Sequence, residues 1–176
     1  GAQVIAMGAG KFQVRIHVDG LPGAGWERGD EVELANGARL SDGSVVVTRE
    51  SGQRLHCQLK DGVMIVVDGD KIVGKLKKTE RVSKTLGKKP PEGAVVLFDG
   101  SEKSAANFTR GQVVMKNLLR HDCESTETFG DHHLHLEFRT PFIPAARGQG
   151  RGNSGMYVQG RYEVQVLDSF GLDGKN

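Results

Sequence analysis

The stretch DGSVVVTRESGQRLHCQLKDGVMIVVDGDKIVGKL, residues 42–76, carries the clearest fold signal in the chain. Asp-Gly pairs at 42–43, 61–62 and 68–69 separate runs that are rich in Val, Ile and Leu. Asp-Gly between apolar runs favours a β-hairpin, because the tight turn needs positive φ at its central residues. Strands are predicted at 45–49, 54–59, 63–67 and 71–76. We therefore expect an antiparallel β unit here.

The same signals extend in both directions. Further strands are predicted at 3–7, 11–18 and 94–100, and near 111–115, 132–140 and 156–167. The segment KTLGKKPPEG combines lysines with a Pro-Pro pair, which a central strand does not tolerate. Helical patterns are almost absent. We expect an all-β protein with a small antiparallel β module at 1–83, a linker at 84–93 and a second β domain, a sandwich or jelly roll, at 94–176.

The composition argues against some classes of binding partner. The chain has 24 Lys plus Arg against 22 Asp plus Glu, a balance that indicates neither nucleic acid nor an anionic membrane as partner. No apolar run approaches the ~18 residues needed to span a bilayer, and no charged-then-apolar leader opens the chain. Cys57 and Cys123 lie far apart in sequence, so free thiols are expected rather than a disulfide framework.

The predicted strand HHLHLEFRT, residues 132–140, has one apolar and one polar face, because side chains alternate along a strand. The apolar face holds Leu134, Leu136 and Phe138, and the polar face holds His133, His135, Glu137 and Arg139. His-x-His-x-Glu could begin a metal site of the cupin kind. That pattern needs its glutamate further on and another histidine later, so satisfied or solvent-facing histidines are predicted, and no metal.

The sequence MYVQGRYEVQVLD, residues 156–168, alternates in the same way. The apolar row is Met156, Val158, Tyr162, Val164 and Val166, and the polar row is Tyr157, Gln159, Arg161, Glu163 and Gln165. A sheet face in water is also polar. However, neither polar row contains lysine, and this one combines tyrosine, arginine, glutamate and two carboxamides. These groups can hydrogen-bond sugar hydroxyls while the tyrosine stacks on a sugar ring, so a carbohydrate ligand is the hypothesis.

The alternation breaks at Leu167 and Asp168, so the strand must end, bend or bulge there. A bulge would turn Asp168 towards the polar face near Glu163. Two carboxyl groups would then flank Gln165, a layout suited to general acid and base catalysis. Alternatively, Asp168 caps the following turn with Ser169. Both interpretations stay open on the sequence.

The loop GQGRGNSG, residues 148–155, is dense in glycine but does not match a phosphate-binding pattern, because no helix follows it. No cofactor is predicted. Its glycines would let backbone amides approach a ligand closely. Arg151 and Asn153 could donate hydrogen bonds to a ligand oxygen, or the loop could be a flexible tip.

Three segments carry a family resemblance: VVLFDG (95–100), FGDHHLHLEFRTPFIP (129–144) and GQGRGNSGMYVQGRYEVQVLDSFG (148–171). Together they closely resemble the 3-keto-disaccharide hydrolase family, which is abundant in planctomycetes and related bacteria. The resemblance covers about the last 80 residues. It implies a concanavalin A-like jelly roll with a sugar site on its concave sheet, and a periplasmic or extracellular location. Family members continue for several further strands, so the jelly roll is expected to be incomplete here.

The resemblance also implies an activity. The substrate would be an oligosaccharide or glycoside already oxidised at carbon 3, cleaved by elimination to a 2-hydroxyglucal enone and then hydrated. Glu163 or Asp168 would be the base, and the other carboxyl group or His135 would protonate the leaving group. Ordinary retaining hydrolysis is disfavoured, because Gln165 and Asp168 replace the second and third acidic residues of the similar Glu-x-Asp-x-x-Glu strand in laminarinase-type glycosidases.

The other predicted site residues bind substrate. Arg161, Gln165 and Asn153 would stabilise the enolate oxygen in a partly dewatered cleft. Tyr157 and Arg139 would contact the sugar. The competing hypothesis is a non-catalytic lectin-like module, because one fold hosts many functions. A third is an interaction or wall-associated domain that uses the convex surface.

Overall fold

A computed structural model describes residues 1–49 and 55–172, and for residues 55 and 56 it describes the backbone alone. The strands are β1 (Ala2–Gly8), β2 (Lys11–His17), β3 (Leu21–Pro22), β4 (Gly25–Trp26), β5 (Val32–Arg39), β6 (Val45–Arg49), β7 (Leu55–Lys60), β8 (Val63–Asp68), β9 (Lys71–Lys77), β10 (Phe108–Thr109), β11 (Val113–Val114), β12 (Leu118–Leu119), β13 (Glu124–Ser125), β14 (Asn153–Val158) and β15 (Tyr162–Leu167). Helical structure in the described residues is limited to α1 (Glu102–Ala105) and a 3-10 turn at Gly148–Arg151. The all-β prediction is confirmed, and the jelly-roll connectivity stays a prediction.

The chain divides into two compact units. The first comprises Gly1–Arg81 together with Thr140–Asn176, and the second comprises Val82–Arg139. The domain boundaries expected from the sequence stay a prediction. No helix in the described part of the chain has the length and apolarity to cross a membrane.

A seven-stranded antiparallel sheet forms most of the first unit, in the order β1-β2-β5-β6-β7-β8-β9. The Asp-Gly hairpins are confirmed. At the turn between β7 and β8, Asp61 and Gly62 have φ values of 51° and 74°, as the tight hairpin turn requires. The predicted strands of this region agree with the structure to within one residue at each described end, while Arg54 lies outside the described residues.

Strand β5 was missed by the sequence analysis. Its sequence, VELANGAR, contains Glu, Asn, Gly and Arg, most of which have low β propensity. Its apolar and polar residues also do not alternate regularly. Tertiary pairing overrides that weak local preference: β5 bonds to β2 on one side and to β6 on the other. Ala35 at its centre is fully buried. The strand is thus specified by its neighbours.

One face of this sheet supplies the hydrophobic core. The buried residues of the core are Val14, Ala35, Val45, Val47, Cys57 and Met64. Full burial of a Val or Met side chain stabilises a fold by about 1.5–3 kcal/mol, so this cluster is the main source of stability for the sheet. Burial raises the pKa of the Cys57 thiol. Cys57 and Cys123 are both free, as predicted.

His17, at the end of β2, is a buried histidine that favours the neutral form. It is only 3% exposed, its Nε2 lies 3.2 Å from Oε1 of Gln3, and its ring meets Trp26 edge-on. Its Nδ1 has no hydrogen-bond partner in the described structure. Burial, and secondarily the positive charge of Arg15, lower the pKa of His17. Protonation in the folded state is therefore unfavourable.

This burial predicts acid sensitivity. Because the folded-state pKa of His17 is below 6.5, its contribution to stability is complete above about pH 6.5 and is lost as the pH falls through the lowered value. We expect urea unfolding to give a lower free energy at about pH 5 than at neutral pH. His17→Phe should weaken the dependence of the unfolding free energy on pH. The control variant His133→Asn, which replaces an exposed histidine, should leave this dependence unchanged. An equal pH dependence in wild type and His17→Phe would contradict the assignment.

In the second unit, two predicted strands do not form. Residues 94–100 lack strand structure, because the Phe-Asp-Gly-Ser sequence instead makes a cap for α1. The Asp99 carboxylate accepts hydrogen bonds from the backbone N–H of Ser101 and the hydroxyl of Ser104. Hydrogen bonding by the Ser101 side chain, then by the Ser104 hydroxyl and the Ser101 N–H, lowers the pKa of Asp99 to about 2. The predicted strand 132–140 also has no partner strand in the described residues, and Leu134, Leu136 and Phe138 are exposed.

The predicted single strand 156–167 is wrong, because the chain turns back on itself there. Strands β14 and β15 form an antiparallel hairpin with the loop residues Gln159, Gly160 and Arg161. Gln159 and Gly160 have φ values of 55° and 62°, and the N–H of Arg161 donates to the carbonyl of Val158 over 3.1 Å. This is the geometry of a tight hairpin turn followed by one extra residue. Gln-Gly was the signal that the sequence analysis missed.

Candidate functional site

A row of polar side chains crosses one face of the β14–β15 hairpin. The register pairs Tyr157 with Glu163, Gly155 with Gln165, and Asn153 with Leu167. Directly opposed residues of an antiparallel pair share a face. Three members of the predicted polar row, Tyr157, Glu163 and Gln165, therefore share this face, because the three-residue loop pairs odd-numbered residues with odd-numbered ones. The other two members, Gln159 and Arg161, lie in the loop. We call Asn153, Tyr157, Glu163 and Gln165 the hairpin row.

Tyr157 and Glu163 form the centre of the hairpin row. The negative charge of the Glu163 carboxylate, together with a hydrogen bond to it, raises the pKa of the Tyr157 hydroxyl. The raised pKa favours the protonated Tyr157 hydroxyl, which can donate a hydrogen bond beside the Glu163 carboxylate. Both side chains are exposed, and Tyr157 exposes 59% of its surface. A proton donor and a proton acceptor therefore lie side by side and are accessible to a ligand.

Gly155 makes room for the Glu163 side chain. A Cβ atom built on Gly155 would lie 2.6 Å from Cγ of Glu163 and would also overlap the carboxylate. No real Cβ atom tolerates such distances, so the glutamate would have to swing away. The backbone of Gly155 does not have positive φ, so alanine is not strained there on conformational grounds. The glycine is needed for space.

We therefore expect Gly155→Ala to move Glu163 away from Tyr157. The pKa of Tyr157 should then fall towards its ordinary value, because the neighbouring charge no longer opposes phenolate formation. The chain has two tyrosines, so titration of phenolate absorbance in a Tyr162→Phe background reports on Tyr157 alone. Gly150→Ala, whose new Cβ meets only an ordinary 3.9 Å contact, is the control. An unchanged pKa of Tyr157 in Gly155→Ala would show that Gly155 does not position Glu163.

The two carboxamides of the hairpin row are linked to each other. The side-chain N–H of Gln165 donates to Oδ1 of Asn153 across the hairpin. This bond fixes the orientation of the Asn153 amide. Within the described residues, Nδ2 of Asn153 donates no hydrogen bond. Asn153 can therefore offer an N–H group to a ligand oxygen beside Gln165.

Asp168 lies outside this row, in a charge pair of its own. Strand β15 ends at Leu167, so the alternation breaks because the strand ends and not because it bulges. Oδ2 of Asp168 lies 2.7 Å from Nε of Arg151, and both side chains are almost fully buried. Oδ1 accepts a hydrogen bond from the N–H of Phe170, which is the turn cap that was the alternative interpretation.

The remaining predicted site residues lie elsewhere. Arg161 is in the loop at the tip of the hairpin. His135 and Arg139 belong to the second unit, where Nε2 of His135 lies 3.2 Å from Oε1 of Glu137 and Arg139 contacts the sulfur of Met115. Backbone and side-chain hydrogen bonds, from Gly87 and then His135, lower the pKa of Glu137. In the described residues, no group of three or more His, Cys, Asp or Glu side chains is arranged to hold a metal ion.

Two features of the site depend on the tertiary structure and are not predicted from the sequence. The contact of Gly155 with the Glu163 side chain follows only from the register between β14 and β15. This register depends on a turn that the sequence did not predict. The Arg151 and Asp168 pair joins the residues on either side of the hairpin, seventeen positions apart, and only folding brings them together. The one available signal was Gln-Gly at 159–160, a weaker relative of the Asn-Gly hairpin turn.

Comparison with known proteins identifies the family. No curated protein and no solved structure matched the chain. The family model described as the 3-keto-alpha-glucoside-1,2-lyase-like domain matches residues 17–176. This span begins in β2 and contains all three motifs that carry the resemblance, so the match extends well upstream of the last 80 residues. The chain therefore belongs to the 3-keto-alpha-glucoside-1,2-lyase-like domain family.

Proposed function

We propose that this protein cleaves glycosides that are oxidised at carbon 3 of the sugar, by elimination followed by hydration. The net result is glycoside hydrolysis. Family membership supports a carbohydrate-related domain. The observation that carries the proposal is the hairpin row, in which a carboxylate, a phenol and two carboxamides share one face of the β14–β15 hairpin.

The chemistry requires a base at carbon 2. A ketone at carbon 3 acidifies the proton on carbon 2, because the resulting carbanion is delocalised as an enolate. Glu163 is the base in our proposal, since its carboxylate is exposed and is held in place by Tyr157 and by the space over Gly155. Removal of the proton then expels the glycosidic oxygen from carbon 1. Water adds to the enone in the second step.

The enolate oxygen needs hydrogen-bond donors at the place where its charge develops. Asn153 offers the Nδ2 donor that its bond with Gln165 leaves available. Arg161, in the loop that joins the two strands of the hairpin, is the second donor in our proposal. Each donor of this kind typically contributes about 2.7–4 kcal/mol to transition-state stabilisation in a water-excluded site. The exposed hairpin face would give less until the substrate covers it.

The experiment compares oxidised with unoxidised sugars. The full-length protein is incubated with methyl 3-keto-glucoside and with methyl glucoside, while enone absorbance and methanol release are followed. We expect turnover of the 3-keto sugar alone, since only its carbon 2 proton is acidic. Calorimetry with unoxidised oligosaccharides runs in parallel. Binding of these without turnover of any 3-keto sugar would reject the enzyme and favour a lectin-like module.

A further inference from the structure

We propose that Tyr157 is the general acid of this reaction, donating its phenolic proton to the glycosidic oxygen as that oxygen leaves carbon 1. The inference rests on the proposed function and names a residue for a step that the sequence analysis assigned to a carboxyl group or to His135. Two structural facts support it: Tyr157 is the direct cross-strand partner of Glu163, and its side chain is exposed on the same face.

The register places Tyr157 where an acid is needed. Directly opposed Cβ atoms of an antiparallel pair are about 4.5–5.5 Å apart, and the two side chains are hydrogen-bonded. Carbon 2 and the oxygen on carbon 1 are neighbours in the sugar. A base and an acid that touch each other can therefore address both atoms of one substrate. Asp168, in contrast, is bound to Arg151 and lies beyond the end of the strand.

The charge of Glu163 couples the two proton transfers. While Glu163 is ionised, its charge raises the pKa of Tyr157 and holds the phenol protonated. Once Glu163 has taken the carbon 2 proton, that charge is gone and the phenol becomes a stronger acid. Tyr157 thus gains acidity at the stage when the leaving oxygen develops negative charge. The charge of Glu163 thus prevents the phenol from losing its proton before the reaction begins. Loss of that charge then favours proton donation to the leaving oxygen.

The proton balance closes within the pair. The bond between carbon 2 and hydrogen breaks, and its proton goes to Glu163. The electron pair forms the double bond between carbons 1 and 2, the bond from carbon 1 to oxygen breaks, and the leaving oxygen takes the proton of Tyr157. The protonated Glu163 then returns its proton to the phenolate through their hydrogen bond. The products are the enone and an alcohol, and no oxidant or further reactant is consumed.

The test uses leaving groups of different basicity. Tyr157→Phe is compared with Tyr162→Phe, a matched control because Tyr162 is in the same hairpin, is 66% exposed and points to the opposite face. We expect Tyr157→Phe to lower kcat on methyl 3-keto-glucoside by about 10²–10⁴-fold, the usual effect of losing an acid catalyst. On 4-nitrophenyl 3-keto-glucoside, whose leaving group needs no proton, the loss should be far smaller.

Exchange of the carbon 2 proton with deuterated solvent separates the possible failures. Tyr157→Phe should retain exchange catalysed by Glu163 while cleavage of the methyl glycoside slows. Equal losses on both substrates, or kinetics like those of Tyr162→Phe, would overturn the role of Tyr157 while leaving the proposed function intact. If wild-type protein neither exchanges nor cleaves any 3-keto sugar, the proposed function itself fails, and Tyr157 fails with it.

Discussion

Glu163→Gln is expected to lower kcat for cleavage of a 3-keto-glucoside by about 10²–10⁴-fold, while substrate binding changes little. Glutamine keeps the shape of the side chain, fits over Gly155 and can still accept a hydrogen bond from Tyr157. It cannot accept the carbon 2 proton. The loss should therefore appear in kcat and not in KM, because the missing interaction is made only as the proton is transferred.

The matched control is Glu127→Gln, which removes one exposed carboxylate outside the hairpin row. We expect wild-type kinetics from it. Calorimetric titration of Glu163→Gln with a 3-keto-glucoside checks that binding is retained. If Glu163→Gln cleaves as fast as wild type, Glu163 is not the base, and if binding is lost together with turnover, its role is to hold the sugar.

Arg151→Met is expected to destabilise the first unit by about 3 kcal/mol, the lower end of the range for removing one partner of a buried ion pair. Arg151 is 6% exposed, and its Nε lies 2.7 Å from the Asp168 carboxylate. These residues lie immediately outside the two ends of the β14–β15 hairpin, and the N–H of Asp168 also donates to the carbonyl of Gly152. Without Arg151, a nearly buried carboxylate loses its counter-charge.

Urea unfolding of the single and double variants tests this interpretation. Arg151→Met combined with Asp168→Asn removes both charges, so it should cost less than Arg151→Met alone. Additive losses in the double variant would mean that the two side chains do not interact. A loss below about 1 kcal/mol in Arg151→Met would be typical of a surface pair, and would contradict the burial of this one.

The sheet of the first unit could be predicted because its signals are local. Asp-Gly turns and alternating apolar residues report on neighbouring strands, and the strands around Asp61 and Gly62 follow these rules closely. Strand β5 could not be predicted in the same way. Its residues favour a strand only when β2 and β6 bond to it from both sides, and that information lies in the tertiary structure.

The site could be predicted from the sequence only in part. Alternation placed Tyr157, Glu163 and Gln165 on one face, because parity is preserved across the three-residue loop, whose members Gln159 and Arg161 leave that face. The turn itself was missed, since Gln-Gly is a less common pair at that position than Asn-Gly. The position of Asp168 was left undecided between a bulge and a cap, and the structure shows the cap together with Arg151. That partner is seventeen residues away, so no local pattern could reveal it.

Exchange of the carbon 2 proton tests both the proposed reaction and the role of Glu163 as its base. Methyl 3-keto-glucoside is incubated in deuterated buffer with wild-type protein, with Glu163→Gln or with the Glu127→Gln control, and the carbon 2 proton signal is followed by NMR. We predict rapid loss of the signal with wild type and with the control, and loss at the rate of buffer alone with Glu163→Gln. Equal loss with wild type and Glu163→Gln would contradict the assignment of Glu163 as the base, and no loss above buffer with wild type would contradict the proposed reaction.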